Sequence, residues 1–289
     1  MDPRLKSAGM TLLMVRHSRP KGIPSGNVFI GNPKDPTTNR WNQILPGKDN
    51  FLVLRLSVGF PNFFKSGRPS SMRILALADI HGSYDTMESI IAKEPGCDVI
   101  VVAGDVTTNG GVLEIGRAIR LVQSVGKPVV AVCGNMDPPD LEEVLNDFGV
   151  SVNGKGVVIS EVGFFGVSGS PISFLHTPNE ISEEEIGMKA ERGWKDVEAA
   201  RWKIFVPHSP PYKTKVDKLF IGKHVGSRAV KNFVVKRQPD VTICGHIHEA
   251  RGSDSVERTK IINCGPVGKG YYGLINLGPT ISVENRSLS

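Results

Sequence analysis

Residues Leu75 to Asp85 read LALADIHGSYD. An apolar run, Ile74 to Ala78, stops at an aspartate, and a histidine follows two positions later. Gly82 and Ser83 supply the turn that ordinarily follows a strand, so Asp79 and His81 are left without a structural task. Along extended chain, residues i and i+2 point the same way, which projects a carboxylate and an imidazole together from the strand's end. Such a pair can hold a metal, although an isolated Asp-x-His also arises by chance.

The surroundings of this stretch set the fold class. From Met72 onward, strand-like Arg73 to Ala78 precedes a helical stretch over Tyr84 to Lys93, and Val99 to Ala103 precedes one over Val112 to Ser124. Pro128 to Val132 precedes a shorter one over Asp140 to Phe148. Continuous apolar strands alternating with amphipathic helices predict a parallel sheet covered on both sides. After Val150 the pattern changes. Gly156 to Ser160 and Gly163 to Ser168 read as a hairpin, and Ser182 to Ala200 reads as a helix opening on Glu183, Glu184 and Glu185, as a helix N-terminus favours. Strands follow at Lys203 to Val206, Val241 to Cys244, Lys260 to Asn263 and Tyr271 to Asn276, with a helix over Ser227 to Arg237. The class is α/β passing into a mixed sheet.

The other strand ends decide what Asp79 and His81 are for. Val99 to Ala103 stops at Gly104-Asp105, Val129 to Cys133 at Gly134-Asn135-Met136-Asp137, Lys203 to Val206 at Pro207-His208, and Val241 to Cys244 at Gly245-His246-Ile247-His248. In open α/β sheets the ligand crevice lies outside the carboxyl ends of the strands. Asp79, His81, Asp105, Asn135, His208, His246 and His248 therefore converge on a common edge. Catalytic sites hold one metal with about three protein ligands, so seven imply two ions. Carboxylate, imidazole and amide oxygen without thiolate select Mn, Fe, Zn, Ni or Co. Two such ions share a hydroxide that attacks phosphorus in line while both clamp its oxygens. The glycines before Asp105, Asn135 and His246 let backbone approach the ions closely.

The ordered set D-x-H, G-D, G-N-x-D, strand-end His and G-H-x-H resembles the calcineurin-like metallophosphoesterase superfamily over essentially Met72 to the last strand. The resemblance implies a sandwich of two mixed β-sheets flanked by helices. It implies that Asp79, His81, Asp105 and His248 hold one metal, that Asp105 bridges, and that Asn135, His208 and His246 complete the second. It further implies a dinuclear phosphoesterase working by attack of a metal-bridging hydroxide, with Asp105, Asn135 and His208 carrying the catalysis. Many members have histidine in G-N-H-D/E, near the leaving group, whereas this chain has Met136. A thioether donates no proton. The departure resembles the small YfcE-type phosphodiesterase branch and points to phosphodiesters over monoesters with poor leaving groups. Asp137 is expected to order the loop rather than to act as acid, and Asn263 to form a turn.

Two further imidazoles are candidate substrate contacts, with Asn135 as a third. His176 lies in a loop after an apolar strand, and His224 precedes a helix N-terminus where Gly226 and Ser227 could bind phosphate through free N–H groups. Ser227 acting as a plain helix cap is the alternative.

Bulk properties bound the remaining readings. The chain has 289 residues and a net charge of +6. That charge is uneven: residues 1–71 hold eleven Lys/Arg against three Asp/Glu, and the rest holds 24 against 26. The segment 1–71 lacks periodicity and is expected to be a disordered basic extension, with organelle targeting a minor alternative, while 72–289 forms the phosphoesterase domain. The core offers no broad basic footprint, so a nuclease is not favoured. A non-catalytic metal-binding scaffold is disfavoured because every ligand position is filled, and so many polar groups around an empty site would be costly. Cys97, Cys133, Cys244 and Cys264 form no C-x-x-C and read as buried free thiols of a cytoplasmic protein. No apolar run reaches the roughly 20 residues of a membrane span, so no membrane partner is implied. The expected partner is a small phosphodiester or phosphomonoester, and a homo-oligomer is left open.

Overall fold

The computed structural model describes residues 71–288 and, before them, only the backbone of three short strands, β1 (Asn27–Ile30), β2 (Arg40–Ile44) and β3 (Leu54–Leu56). The chain divides into two compact units, Met1–Ser66 and Gly67–Ser289. In the first, the three strands pair antiparallel in the order β1-β2-β3. The expectation of an unstructured extension lies otherwise outside the described residues.

The second unit contains two mixed sheets. One has the order β16-β15-β4-β5-β6, built from β4 (Met72–Leu77), β5 (Val99–Ala103), β6 (Val129–Val132), β15 (Tyr271–Leu277) and β16 (Ser282–Ser287). Strands β4, β5 and β6 run parallel, and β15 joins β4 antiparallel. The other has the order β13-β14-β12-β11-β8-β7, from β7 (Gly156–Ile159), β8 (Val162–Val167), β11 (Trp202–Pro207), β12 (Val241–Cys244), β13 (Gly252–Val256) and β14 (Thr259–Asn263). Strands β7 and β8 form the expected hairpin. Two-residue strands β9 (Ser170–Pro171) and β10 (Glu180–Ile181) close the segment between them.

Alternation along the strands builds three apolar layers, because successive side chains point to opposite faces. On β4, Leu75 and Leu77 face α1 (Tyr84–Lys93), α2 (Val112–Gln123) and α3 (Leu141–Asp147), through Met87, Ile90, Ile115 and Leu145. Ile74, Ala76 and Ala78 face the opposite sheet, meeting Phe164, Ile204, Val206 and Ile243 in the middle layer. On the far side, Phe165 and Phe205 stack at 4.9 Å and pack with Phe233 and Trp194 under α4 (Glu183–Val197) and α5 (Arg228–Arg237). The layout is a sandwich of two mixed sheets flanked by helices.

The edge strands β13 (GSDSV) and β16 (SVENRS) were absent from the sequence-based pattern. Each borders only one strand and carries few apolar residues, so its own sequence lacks the signal that a buried strand gives. The four cysteines are free and buried, and among the described residues no helix is long and apolar enough to cross a membrane. Phe205→Ala removes the centre of the outer aromatic layer and is expected to cost about 3–5 kcal/mol of stability. Urea unfolding measures this, and a loss well under about 1 kcal/mol would mean that the layer is not packed as described.

Candidate functional site

Five strands that end at the common edge each contribute side chains to one cluster. Asp79 and His81 follow β4, Asp105 follows β5 and Asn135 follows β6, all from one sheet; His208 follows β11, and His246 and His248 follow β12, from the other. The cluster spans the mouth of the sandwich, and the middle apolar layer holds its two halves together.

Local backbone explains how the side chains turn inward. Asp79 (φ 51°), His81 (φ 46°), Asp105 (φ 50°) and His246 (φ 68°) all occupy the left-handed region. For a non-glycine residue that costs about 1 kcal/mol or more each. Hydrogen bonds between the loops hold these conformations: the Asp79 N–H donates to Gly104 O at 3.0 Å, and the His81 N–H to Asp105 O at 2.9 Å. The His246 N–H donates to both Asp79 carboxylate oxygens, at 2.9 and 3.1 Å. Gly134 must be glycine because a Cβ there would overlap the Asp105 carboxylate and its backbone nitrogen. At Gly245 a Cβ would lie 2.6 Å from Ala78 Cβ and 2.7 Å from Asp79 Oδ2.

Inside the cluster, potential metal ligands crowd together. His81 Nε2 and His248 Nε2 are 3.4 Å apart, and His248 Nε2 is 3.7 Å from Asp79 Oδ1. Asn135 Oδ1 lies 3.0 Å from His208 Nε2 and 2.7 Å from His246 Nδ1. Asp105 Oδ2 sits between the two groups, 3.5 Å from His81 Nε2 and 3.4 Å from His208 Nε2. Asp105 Oδ1 is turned away, accepting the Met136 N–H at 2.7 Å. Outer partners fix the rings: His208 Nδ1 donates to Ala103 O at 2.8 Å, and His81 Nδ1 meets Thr108 Oγ1 at 2.9 Å. Such outer contacts aim the remaining ring nitrogen at a metal. Ligating atoms that converge in this way fit a cation, and Asp79, His81 and the exposed His248, and again the buried Asp79, Asp105 and His208, are close enough to share one.

Electrostatics carries the same signature. Burial opposes charge on both members of the Asp105–His208 pair, yet their mutual attraction prevails, lowering the Asp105 carboxyl to about 2 and raising the His208 imidazole to about 9. A proton thus sits where a cation would. Burial and the neighbouring His208 charge push His246 down to about 4, leaving its ring neutral. The Asp79 carboxylate, accepting from the His248 ring, raises the His248 imidazole.

Asp137 orders the loops, as expected. Its buried carboxylate accepts the N–H groups of Val106, Thr107 and Gly134 and the Thr107 hydroxyl, at 2.8–3.1 Å. Asn263 forms its turn, accepting the Gly265 N–H at 3.0 Å, and also donates to Ile247 O between His246 and His248. Met136 lies half-buried beside Asn135. Two residues without any local sequence signal complete the frame: Thr108, and Asn179, which donates to Gly134 O and Asn135 O at 3.0 Å.

The phosphate reading of Gly226 and Ser227 is corrected. The N-terminus of α5 already holds an anion, the Glu183 carboxylate, which accepts from Arg228 N and Ala229 N at 2.8 Å and from Ser227 Oγ at 2.6 Å. Ser227 caps the helix by accepting the Val230 N–H. His224 Nδ1 is bound to the buried Asp217 carboxylate at 2.7 Å. His176 is exposed on the segment anchored through Asn179.

Residues 72–250 match the family model described as calcineurin-like phosphoesterase. The chain belongs to that family. The uncharacterized protein MJ1162 of Methanocaldococcus jannaschii is 31% identical over 210 residues, 70% of this chain and 90% of its own length. A protein of Caenorhabditis elegans, K07C11.7, is 24% identical over 256 residues, 82% of this chain and 84% of its own. The solved structure of TT1561 from Thermus thermophilus shares the fold at 17% identity and a TM-score of 0.60, covering 75% of this chain and 99% of its own. Family and cluster together make the chain a metal-dependent hydrolase of phosphoric esters.

A divalent cation must displace the proton held on His208, and the raised His248 acts in the same direction. Apparent cation affinity is therefore expected to rise with pH toward about 9, by up to about tenfold per unit. Calorimetric titration across that range measures it, and a flat profile would contradict the described pairing.

Proposed function

We propose that the cluster holds two divalent cations, manganese foremost, and that the protein hydrolyses small phosphodiesters. Asp79, His81 and His248 hold one ion, Asn135, His208 and His246 the other, and Asp105 bridges. The observation that carries this reading is Asp105 Oδ2, within 3.5 Å of an imidazole from each group while Oδ1 is pinned by the Met136 N–H. Ions held there supply a water of lowered pKa and polarise the phosphoryl oxygens.

The chain's own groups do the rest. His208 is fully buried and fixed through Ala103 O, so its ring keeps its orientation as charge builds on phosphorus. The Asn135 amide oxygen faces His208 and His246, which directs its amino group toward incoming oxygens. Fixed dipoles of this kind stabilise developing charge without reorganising. Met136 occupies the slot where a proton-donating histidine would serve a poor leaving group, which favours diesters whose leaving alkoxide is the more stable one.

His176 and His224 are assigned to the organic part of the substrate. His176 rides on the segment tied to Asn135, and the turn before His224 is tied to Glu249, which follows His248. In His224 the Asp217 contact leaves Nε2 free for a ligand. The buried free thiols suit a reducing compartment, and we assign the protein to the cytoplasm.

Asp105→Asn is expected to abolish binding of one ion and lower turnover of a model diester at least about a hundredfold; unchanged turnover at unchanged metal content would refute the bridging role. Met136→His is expected to raise monoester turnover relative to diester turnover. A constant ratio would show that the missing acid does not set the preference.

A further inference from the structure

The edge that carries the cluster is rimmed by apolar side chains. Among the described residues, twelve large apolar side chains are strongly exposed, and seven of them stand on the segments that follow β5, β8 and β11. These are Val112 and Leu113; Ile172, Phe174 and Leu175; and Phe220 and Ile221. Each segment is tied to a ligand loop. Asn109, just before the first group, donates to Met136 O at 2.8 Å. Asn179, just after the second, donates to Gly134 O and Asn135 O. The Phe220 N–H donates to the Glu249 carboxylate, next to His248. The apolar prongs therefore stand around the mouth of the site, where a monomeric soluble protein has little reason to expose them.

The third segment is the most specific. Phe220 (87% exposed) and Ile221 (82% exposed) form the tip of a closed turn, with the Leu219 N–H donating to Lys223 O at 2.8 Å and the Gly222 N–H to Leu219 O at 2.7 Å. Along the stretch that carries the tip, Lys213, Lys215, Lys218, Lys223 and Arg228 are all exposed, whereas the one acid between 212 and 228, Asp217, is buried and already accepts four N–H or ring donors; from outside the stretch, the carboxylates of Glu249 and Asp254 accept the backbone N–H groups of Phe220 and Lys215. An apolar tip on a stretch with five exposed cations, which outnumber the two neighbouring carboxylates, matches an interface that is apolar at depth and anionic at its surface.

We infer that this rim docks on an anionic lipid bilayer, with the Phe220–Ile221 turn entering the interface and the surrounding lysines meeting lipid phosphates and carboxylates. The docking brings the phosphoesterase site against the headgroup layer. A membrane-spanning helix has no part in it, because the contact is peripheral. A second copy of the chain is the poorer occupant, since a twofold contact through this turn would set the five cations against their own copies. Single-stranded nucleic acid is poorer too: base stacking needs rings, and five of the seven prongs are aliphatic.

The test uses the full chain with vesicles of phosphatidylcholine alone and of equal parts phosphatidylcholine and phosphatidylserine, measured by co-sedimentation. Binding is expected only to the anionic vesicles and is expected to weaken with salt. The double variant Phe220→Ser, Ile221→Ser should lower the partition coefficient by about tenfold or more, and Lys218→Gln and Lys223→Gln by roughly fivefold each. The basic N-terminal segment is common to all of these proteins, so the differences report the turn. A Phe220→Trp variant adds a direct readout, emission shifted to the blue and quenched by brominated acyl chains. Turnover of a soluble ester and the unfolding midpoint should stay unchanged in the serine variant, which separates this outcome from failure of the catalytic reading. Equal partitioning of wild type and serine variant, or an unshifted Phe220→Trp spectrum, would overturn the inference. So would retention of an oligonucleotide, or concentration-dependent dimerisation, that depends on Phe220 while vesicles go unbound.

Discussion

Seven ligating side chains crowded into one small volume are the constraint on which the rest of this molecule depends. Two imidazole nitrogens stand 3.4 Å apart, and an amide oxygen lies 2.7 Å and 3.0 Å from two more, a density of potential ligands that a cation can share. Without a cation the cluster retains a proton on His208, stabilised by Asp105 against the cost of burial. The folded chain therefore presents a concentration of ligating atoms and negative charge suited to a divalent cation.

The sandwich is arranged to keep those atoms in place. Neither sheet holds the whole set, so the middle apolar layer must fix one sheet against the other before the donors can meet. Four of the seven residues are then held in left-handed backbone, a conformation that survives only where its surroundings over-determine it. The hydrogen bonds from Asp79 to Gly104, from His81 to Asp105 and from His246 to Asp79 link neighbouring strand ends into one frame. Asp137 and Asn263 extend the frame outward, Asp137 through three backbone N–H groups and the Thr107 hydroxyl, Asn263 through backbone of the ligand loops and their neighbours.

The cluster was legible in the sequence because each of its residues sits directly after an apolar run, with a turn residue beside it, and strand ends on one edge must come together. The central strands were legible for a related reason: buried on both faces, they consist almost wholly of Val, Ile, Leu and Ala. What was illegible depends on partners far away in the chain. Strands β13 and β16 take their conformation from β14 and β15 rather than from their own polar residues. Ser227 as a helix cap was legible at the start of α5, but nothing near it reveals that Glu183, 44 residues earlier, occupies the site where a phosphate was the other reading. Thr108 and Asn179 matter only through the ring or loop they touch. The exposed prongs had no voice in the sequence either, since periodicity finds core faces and is silent about a loop tip.

These features describe one design: a polar centre framed by apolar and basic loops, joined to it by hydrogen bonds. The central claim is that the seven donors meet around cations. Anomalous scattering from crystals grown with manganese tests it most directly. The account predicts two peaks flanking the Asp105 carboxylate, one beside Asp79, His81 and His248 and the other beside Asn135, His208 and His246. A map with no peak among these residues, or with manganese bound only elsewhere, would contradict it.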